Sequence, residues 1–182
     1  MSLHGFKHTL SWSHDFTERS APPPDKDDLI AFTVAPAETF GGMAIRYDSD
    51  SELYSFKHSK VKVKIKMDKS NSWVLKNSKT DKLKKHEQVH YNISALAGRD
   101  FERDLKNLTA ATPEELVSKR DALNAQMQKL VDDINKEYDN TILWGTDHGR
   151  TEMHQGFWEL HINKLMNNDS ARLESIYAMM RR

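Results

Sequence analysis

The spacing of apolar residues changes near residue 80, and this change constrains the fold more than any other feature of the chain. Before it, residues 61–67 alternate apolar side chains with lysines, the pattern of a strand that buries one face. After it, apolar residues recur every three or four positions, as along one face of a helix. The sequence therefore predicts an α+β fold for the 182 residues, strand-rich over residues 1–75 and helical over residues 80–182. This length favours a single domain, residues 1–182.

Further short strands are expected in the first part of the chain, at residues 10–12, 29–34 and 43–47. Gly41 and Gly42 mark a turn that would join the last two strands as a hairpin. The lysine face of residues 61–67 is typical of an edge strand, because charge discourages pairing between sheet edges. An exposed edge can pair with an extended peptide, so this strand is a candidate substrate-binding element.

The start of each long helix is marked by capping residues. Thr80 or Asp81 can cap a helix over residues 80–105. Thr112 caps the second helix, with Pro113 at its first position and a glutamate three residues after the cap. The apolar spacing of this second helix favours an amphipathic helix packed on the domain; a dimerising coiled coil is the alternative, although its heptad run is short. Two shorter helices are expected at residues 151–165 and 173–180.

The composition excludes several classes of protein. The chain has no cysteine, which excludes disulfides, thiolate metal sites and a cysteine nucleophile. No segment approaches the ~20 apolar residues of a membrane span. The formal net charge is zero, so the chain as a whole does not favour nucleic acid as a partner.

Eleven lysines between Lys57 and Lys85 are the main local exception to this neutrality. One interpretation is that these lysines form a basic patch that binds an acidic polymer. Few aromatic residues lie among them for base stacking, so the solvated face of a strand is the favoured interpretation.

Residues 86–90 read His-Glu-Gln-Val-His, an H-E-x-x-H pattern inside the first predicted helix. Residues four apart lie on one helix face, with Cβ atoms about 5–6 Å apart. His86 and His90 can therefore bind one Zn²⁺ ion at about 2.0–2.1 Å. Glu87 can then take a proton from water at the metal and pass it to a leaving amine. The alternative is a polar helix face that carries two histidines by chance.

A catalytic zinc needs a third protein ligand and one open position. His148 is the favoured candidate, because it lies in a loop between two helices, beside a glycine that permits a tight backbone. Further candidates are Asp147, His154, His161 and, if the first helix breaks at Gly98, Asp100 and Glu102.

Tyr138, near the end of the second predicted helix, is a candidate catalytic residue. Its phenol can stabilise the oxyanion of a tetrahedral intermediate by donating a hydrogen bond. The alternative is that its ring packs on the domain or caps the helix. Both interpretations stay open at the level of the sequence.

Several blocks in order along the chain resemble a bacterial family of predicted secreted zinc-dependent proteases, a domain of unknown function grouped with the zincin-like metallopeptidases. Residues 86–93 resemble its H-E-Q-x-H-[FY]-[DN]-I core. Residues 10–16 resemble an L-x-W…D-F opening, residues 72–73 a Ser-Trp pair, and residues 138–158 a closing Y-D…T-x-H-G…Q-x-x-W block. The resemblance covers about residues 10–165.

The resemblance implies a zincin-like fold, in which a small twisted sheet supports an active-site helix and a second packed helix. It implies metal ligands at His86 and His90, Glu87 as general base and His148 as third ligand. The predicted function is zinc-dependent hydrolysis of a peptide or protein substrate. The alternative is a non-catalytic, metal-stabilised binding module that uses its basic strand or long helix for a partner protein or an acidic polymer.

The family is usually exported, whereas the first residues here lack the apolar core of a signal peptide. The resemblance therefore predicts a secreted or periplasmic protein whose signal has been removed. A cytoplasmic protein is the alternative.

Overall fold

The strands of this chain are short and two of its helices are long. The computed structural model describes residues 6–39, 42–142 and 144–180. The strands are β1 (Thr17–Arg19), β2 (Ala31–Phe32), β3 (Ala37–Thr39), β4 (Ile45–Asp48), β5 (Leu53–Phe56), β6 (Val63–Ile65), β7 (Trp73–Leu75) and β8 (Thr109–Ala110). The helices are α1 (Trp12–Asp15), α2 (Asp81–Asn107), α3 (Pro113–Asp139), α4 (Glu152–Met166) and α5 (Ser175–Met180). The architecture is mixed α+β, and among the described residues no helix is long and apolar enough to cross a bilayer.

The strands form three small sheets. In the first, β7 lies between β1 and β2, parallel to β1 and antiparallel to β2. In the second, β3 and β6 are antiparallel. In the third, β5 lies between β4 and β8 and is antiparallel to both. Strand β2 is therefore an edge strand of its sheet.

Helix α2 forms the centre of the core. It packs against α3 and α4, and it also contacts strands of all three sheets. Ile93, Leu96 and Leu105 on this helix are fully buried. Burial of each such side chain contributes about 1.5–3 kcal/mol. The residues that α2 carries are therefore held on the most firmly packed element of the fold.

Both predicted helix starts are confirmed. The hydroxyl of Thr80 accepts the backbone N–H of Leu83 at 3.1 Å, at the start of α2. The hydroxyl of Thr112 accepts the backbone N–H of Glu115 at 3.1 Å, and Pro113 is the first residue of α3. Each hydroxyl satisfies one of the N–H groups that the first helical turn leaves without a partner.

Replacing Thr112 with alanine is expected to lower the free energy of unfolding by about 1 kcal/mol, because the first turn of α3 loses its acceptor. Chemical denaturation followed by circular dichroism measures the change. Thr112→Ser keeps the hydroxyl and serves as the matched control. Equal losses in the two variants would show that the methyl group, and not the cap, stabilises this turn.

The strand expected at residues 10–12 is wrong. Residues 12–15 form the single helical turn α1 instead. The carboxylate of Asp15 accepts the backbone N–H of Ser11 at 2.7 Å and so stabilises this turn. A short alternation of apolar and polar residues did not reveal this local side-chain bond.

The hairpin expected between residues 29–34 and 43–47 is also wrong. Strand β2 pairs with β7, and β4 pairs with β5. Part of the expected turn, Gly41, lies outside the described residues. Alternation identifies a strand, but it does not select the partner of that strand.

The strand predicted at residues 61–67 is confirmed in a shorter form, as β6. Val61 and Val63 are buried, whereas Lys62 is exposed. Within the described residues β3 is the strand partner of β6, so β6 is also an edge strand, as its lysines predict.

Candidate metal centre

The two histidines of the H-E-x-x-H segment lie on one face of α2. Their rings meet edge to face with centroids 4.8 Å apart. The Nε2 atoms of His86 and His90 are 3.2 Å apart, so both point to the same place. This convergence follows from the four-residue spacing on a regular helix.

Asp139, the last residue of α3, completes a triangle with these two histidines. Its Oδ1 atom lies 3.1 Å from Nε2 of His86 and 3.1 Å from Nε2 of His90. These contacts are as short as hydrogen bonds, but their angles do not fit one. Oδ1 is buried and has no hydrogen-bond partner among the described residues. Two imidazole nitrogens and one carboxylate oxygen therefore face one another across a small space.

The outer nitrogen of each histidine is held by an amide oxygen. Nδ1 of His86 lies 3.1 Å from Oε1 of Gln155, and Nδ1 of His90 lies 2.9 Å from Oδ1 of Asn135. An amide oxygen accepts hydrogen bonds only, so each Nδ1 carries a proton. In the neutral rings, both Nε2 atoms then present their lone pairs to Asp139.

The hydrogen bonds around Gln155 fix the orientation of its amide. Its Nε2 group donates to the carboxylate of Glu159 at 2.8 Å. Its Oε1 atom accepts the hydroxyl of Tyr138 at 2.7 Å. Reversing the amide would break both bonds, so Oε1 is the atom that faces His86.

Tyr138 lies behind His86 and not in the cavity. Its side chain is fully buried, and its ring stacks on the ring of His86 with centroids 4.6 Å apart. Burial raises the pKa of Tyr138 well above its ordinary value, so its hydroxyl keeps its proton. That proton is donated to Gln155.

The electrostatics of the triangle favour a positive charge. Burial lowers the pKa of His90, but the charges of Asp139 and Glu87 outweigh burial and raise the pKa to about 9. Burial raises the pKa of Asp139, but the charge of His90 and the contacts with His86 outweigh it and hold the pKa well below its usual range. The carboxylate is therefore ionised and attracts a cation to the point where the three atoms meet.

His148 lies at the rim of the same site. Its Nδ1 atom is 3.8 Å from Oδ1 of Asp139, and its Nε2 atom is 4.0 Å from the carboxylate of Asp28. The ligand atoms of His86, Asp139 and His148 all lie within 4.8 Å of one another, and this His-Asp-His cluster can hold a metal ion.

The backbone around His148 adopts a conformation that is uncommon for residues with a side chain. Asp147 has φ 48° and His148 has φ 50°. Gly149 follows with φ 80°, and a Cβ atom at this position would lie 3.1 Å from Cγ of His86. The glycine therefore permits both the turn and the close approach of the loop to the histidine ring.

Glu87 points into the cavity beside the triangle. It is buried, and its Oε2 atom accepts the hydroxyl of Thr33 at 2.6 Å. Thr33 follows β2, so the sheet positions the carboxylate that α2 carries. The carboxylate is thus held in one orientation next to the site that attracts a cation.

The cavity that contains these residues has a volume of about 460 Å³. One wall is the extended segment of residues 29–37, which includes β2. The opposite wall belongs to α2 and α3. The lining residues from α2, α3 and the following loop are Leu83, His86, Glu87, His90, Ser94, Met127, Gln128, Val131, Asp132, Asn135, Asp139 and His148.

Helix α2 does not break at Gly98 but continues to Asn107, and β6 packs closely against this glycine. A Cβ atom at Gly98 would lie 2.6 Å from Cδ1 of Ile65. The candidates beyond it are bound elsewhere: Asp100 accepts the N–H of Leu173 at 2.7 Å, and Glu102 accepts the N–H of Val63 at 2.9 Å.

The remaining ligand candidates lie outside the triangle. Nδ1 of His154 contacts the carbonyl of Gly145 at 2.7 Å. The ring of His161 packs against Phe157 with centroids 4.2 Å apart. Asp147 accepts a bond from Arg150 at 3.2 Å. The structure thus brings together His86, Glu87, His90 and His148, and adds Asp139 to them.

Asp139 is the residue that sequence reasoning missed. It occurs in the sequence only as the second half of a Tyr-Asp pair at the end of a helix. The available signal was the position of this carboxylate in the same block as His148. The sequence does not show that the C-terminal end of α3 packs beside the first turns of α2.

A family model described as "Bacterial protein of unknown function (DUF922)" matches residues 33–149, which is more than half of the chain. The matched region begins at Thr33 and ends at Gly149, and it contains His86, Glu87, His90, Asp139 and His148. No curated protein matches the chain significantly. No solved structure matches it significantly either.

Proposed function

The chain belongs to the bacterial family DUF922, and we propose that it is a zinc-dependent metallopeptidase with a zincin-like fold. The family description names no activity, so the proposal depends on the site. It is carried by one observation: Nε2 of His86, Nε2 of His90 and Oδ1 of Asp139 form a triangle with sides of 3.1, 3.1 and 3.2 Å, and Glu87 lies beside it in the same cavity.

The dimensions of this triangle support zinc. Ligand atoms at about 2.0–2.1 Å from a tetrahedral zinc are about 3.3 Å apart, close to the separations in the triangle. Two neutral imidazoles and one carboxylate are also a ligand set that zinc accepts in catalytic sites. We propose His86, His90 and Asp139 as the ligands, in place of the set with His148 predicted from sequence.

Zinc in this position supplies a Lewis acid that polarises a peptide carbonyl and makes water more acidic. Glu87 is the residue that moves the proton. Its carboxylate accepts a proton from the attacking water and then delivers it to the amine that leaves. Thr33 holds Oε2 of Glu87, which leaves Oε1 to face the water.

The extended segment of residues 29–37 is the proposed contact for the substrate backbone. Strand β2 within it has no second strand partner among the described residues, and an extended peptide can add to such an edge through main-chain hydrogen bonds. Residues 61–67, the candidate from the sequence, do not line the cavity. The segment next to Glu87 is therefore the better candidate.

Tyr138 and Gln155 are proposed as positioning residues. The hydroxyl of Tyr138 is committed to Gln155 and does not reach the cavity, so the predicted role in oxyanion stabilisation is replaced by support of His86. Export of the protein remains a prediction from the sequence resemblance.

Replacing Gln155 with leucine is expected to weaken zinc binding by about 10–100-fold, because the ring of His86 loses the acceptor that orients it. Titration against a chromophoric chelator measures the affinity. Gln126→Leu, at an exposed position of α3, is the matched control and should bind zinc as the wild type does. Unchanged affinity in Gln155→Leu would remove Gln155 from the supporting set.

A second candidate function is a closed, non-catalytic metal site. It is favoured by His148, whose Nδ1 atom lies only 3.8 Å from Oδ1 of Asp139 and can supply a fourth ligand. Four protein ligands leave no position for water, as in structural zinc sites. The protein would then be a metal-stabilised binding module.

Metal content and peptide cleavage, measured on the same preparation, separate the two candidates. The purified protein is loaded with zinc, analysed for bound metal and then incubated with a mixed peptide library. One zinc per chain with cleavage supports the peptidase. One zinc per chain without cleavage supports the closed site, and no bound zinc contradicts both.

A further inference from the structure

One arm of the cavity extends away from the candidate metal centre between α2 and α3. His86 contacts Asp139 at the end of α3. His90, one turn later on α2, contacts Asn135, one turn earlier on α3. The two helices are therefore antiparallel. Ser94, a further turn along α2, also lines the cavity, so the cavity continues as a groove along the helix pair.

The far part of this groove has apolar side chains and one carboxylate on its α3 wall. Met127 and Val131 of α3 line it, with Val34 and Ala35 in the opposite wall. Asp132 lies next to Val131 on the same helix and also lines the cavity. An apolar wall that leads to a carboxylate matches a lysine or arginine side chain, whose stem is aliphatic and whose end is charged.

The charge of Asp132 has no cation to balance it within the groove. No lysine or arginine occurs among the described residues that line the cavity, whereas Glu87, Asp132 and Asp139 do. Asp132 accepts a hydrogen bond from Gln128 at 3.0 Å. Lys129, on the same helix, forms its ion pair with Asp133 and acts on Asp132 only through its charge.

The carboxylates of Glu87 and Asp139 both have a role in the proposed metal chemistry. A divalent ion at the triangle balances the charges of Asp139 and Glu87. Asp132 then remains as the carboxylate of the cavity lining that the proposed metal chemistry does not use, and a cationic group is attracted to it.

The helix register gives the distance between this carboxylate and the centre. Asp132 precedes Asp139 by seven residues, which is about 10 Å along a helix axis. An extended peptide advances about 3.4 Å per residue. A side chain that reaches Asp132 therefore belongs to a residue about three positions from the bond at the metal.

We propose that Asp132 forms a subsite for a lysine or arginine of an extended peptide, about three residues from the scissile bond. The inference rests on the proposed peptidase function and names its substrate class: peptides that carry a basic residue at a fixed distance from the cut. Met127 and Val131 contact the aliphatic stem, and the carboxylate of Asp132 binds the charged end.

The test compares paired peptides that differ only in charge. A single lysine is moved through each position of a quenched fluorescent peptide, and norleucine replaces it in the matched peptide. The zinc-loaded wild type should prefer lysine at most about five-fold in kcat/KM at one position about three residues from the cut, as an exposed ion pair allows. Asp132→Asn should remove the preference, and Asp133→Asn, the next residue along α3, should keep it.

Binding of the same peptides to zinc-loaded Glu87→Gln protein, measured by fluorescence anisotropy, separates failure of the subsite from failure of the enzyme. Cleavage without a lysine preference, or a preference that survives Asp132→Asn, overturns the subsite. A lysine preference in binding that depends on Asp132, without cleavage by the wild type, supports the subsite and overturns the peptidase. Neither binding preference nor cleavage overturns both.

Discussion

Glu87→Gln is expected to reduce peptide cleavage by about 10²–10⁴-fold while zinc binding stays at one ion per chain, because general acid–base catalysis contributes a factor of this size. Glutamine has the shape of the glutamate and can still accept the hydroxyl of Thr33, but it does not take up a proton at neutral pH. The measurement is kcat/KM on the best peptide of the library, with metal content determined on the same sample.

The matched control for this variant is Glu114→Gln, an exposed glutamate at the start of α3. It should keep wild-type activity. Near-normal turnover in Glu87→Gln would mean that another group moves the proton, and the role proposed for the H-E-x-x-H glutamate would be abandoned. Loss of zinc together with turnover would show that Glu87 contributes to the metal site itself.

Asp139→Asn is expected to weaken zinc binding by more than about 100-fold, since a change in a residue that only supports a ligand already costs about 10–100-fold. The substitution keeps the size of the side chain and removes the charge that attracts the cation to the triangle. Zinc affinity is measured by competition with a chelator, and folding is checked by circular dichroism.

Two comparisons make this result specific. Asp133→Asn, exposed on the same helix, should keep the wild-type affinity. His148→Ala should weaken binding less than Asp139→Asn does, because its nearest nitrogen lies 3.8 Å from the carboxylate oxygen and not at 3.1 Å. The reverse order would return His148 to the position of third ligand that the sequence predicts.

The helical half of the fold was predictable because its signals are local. The hydroxyls of Thr80 and Thr112 cap the helices within three residues, and both starts are confirmed. The sheets were not predictable in the same way. Each strand has two to four residues, and apart from β4 and β5 the paired strands are far apart in the chain, as with β2 and β7. Short strands carry too little pattern to specify such long-range pairing.

The residues of the candidate site also differ in whether a local sequence pattern predicts them. His86, Glu87 and His90 are placed together by one helix, so their spacing reveals them. Asp139 reaches them only because α3 packs antiparallel to α2, which no local pattern expresses. Tyr138 was predicted as a candidate for oxyanion stabilisation, with packing or capping as the alternative; its buried hydroxyl donates to Gln155.

The amide oxygens that hold the two histidines also affect the speed of metal exchange. Asn135 and Gln155 fix both rings before any ion arrives, so little side-chain entropy remains to be lost when the ion binds. The two histidine rings then need no rotation for a metal ion to bind. If a ring has to turn when the ion leaves, one of these hydrogen bonds must break. If the centre binds a metal ion as proposed, we therefore expect it to release the ion slowly on dilution.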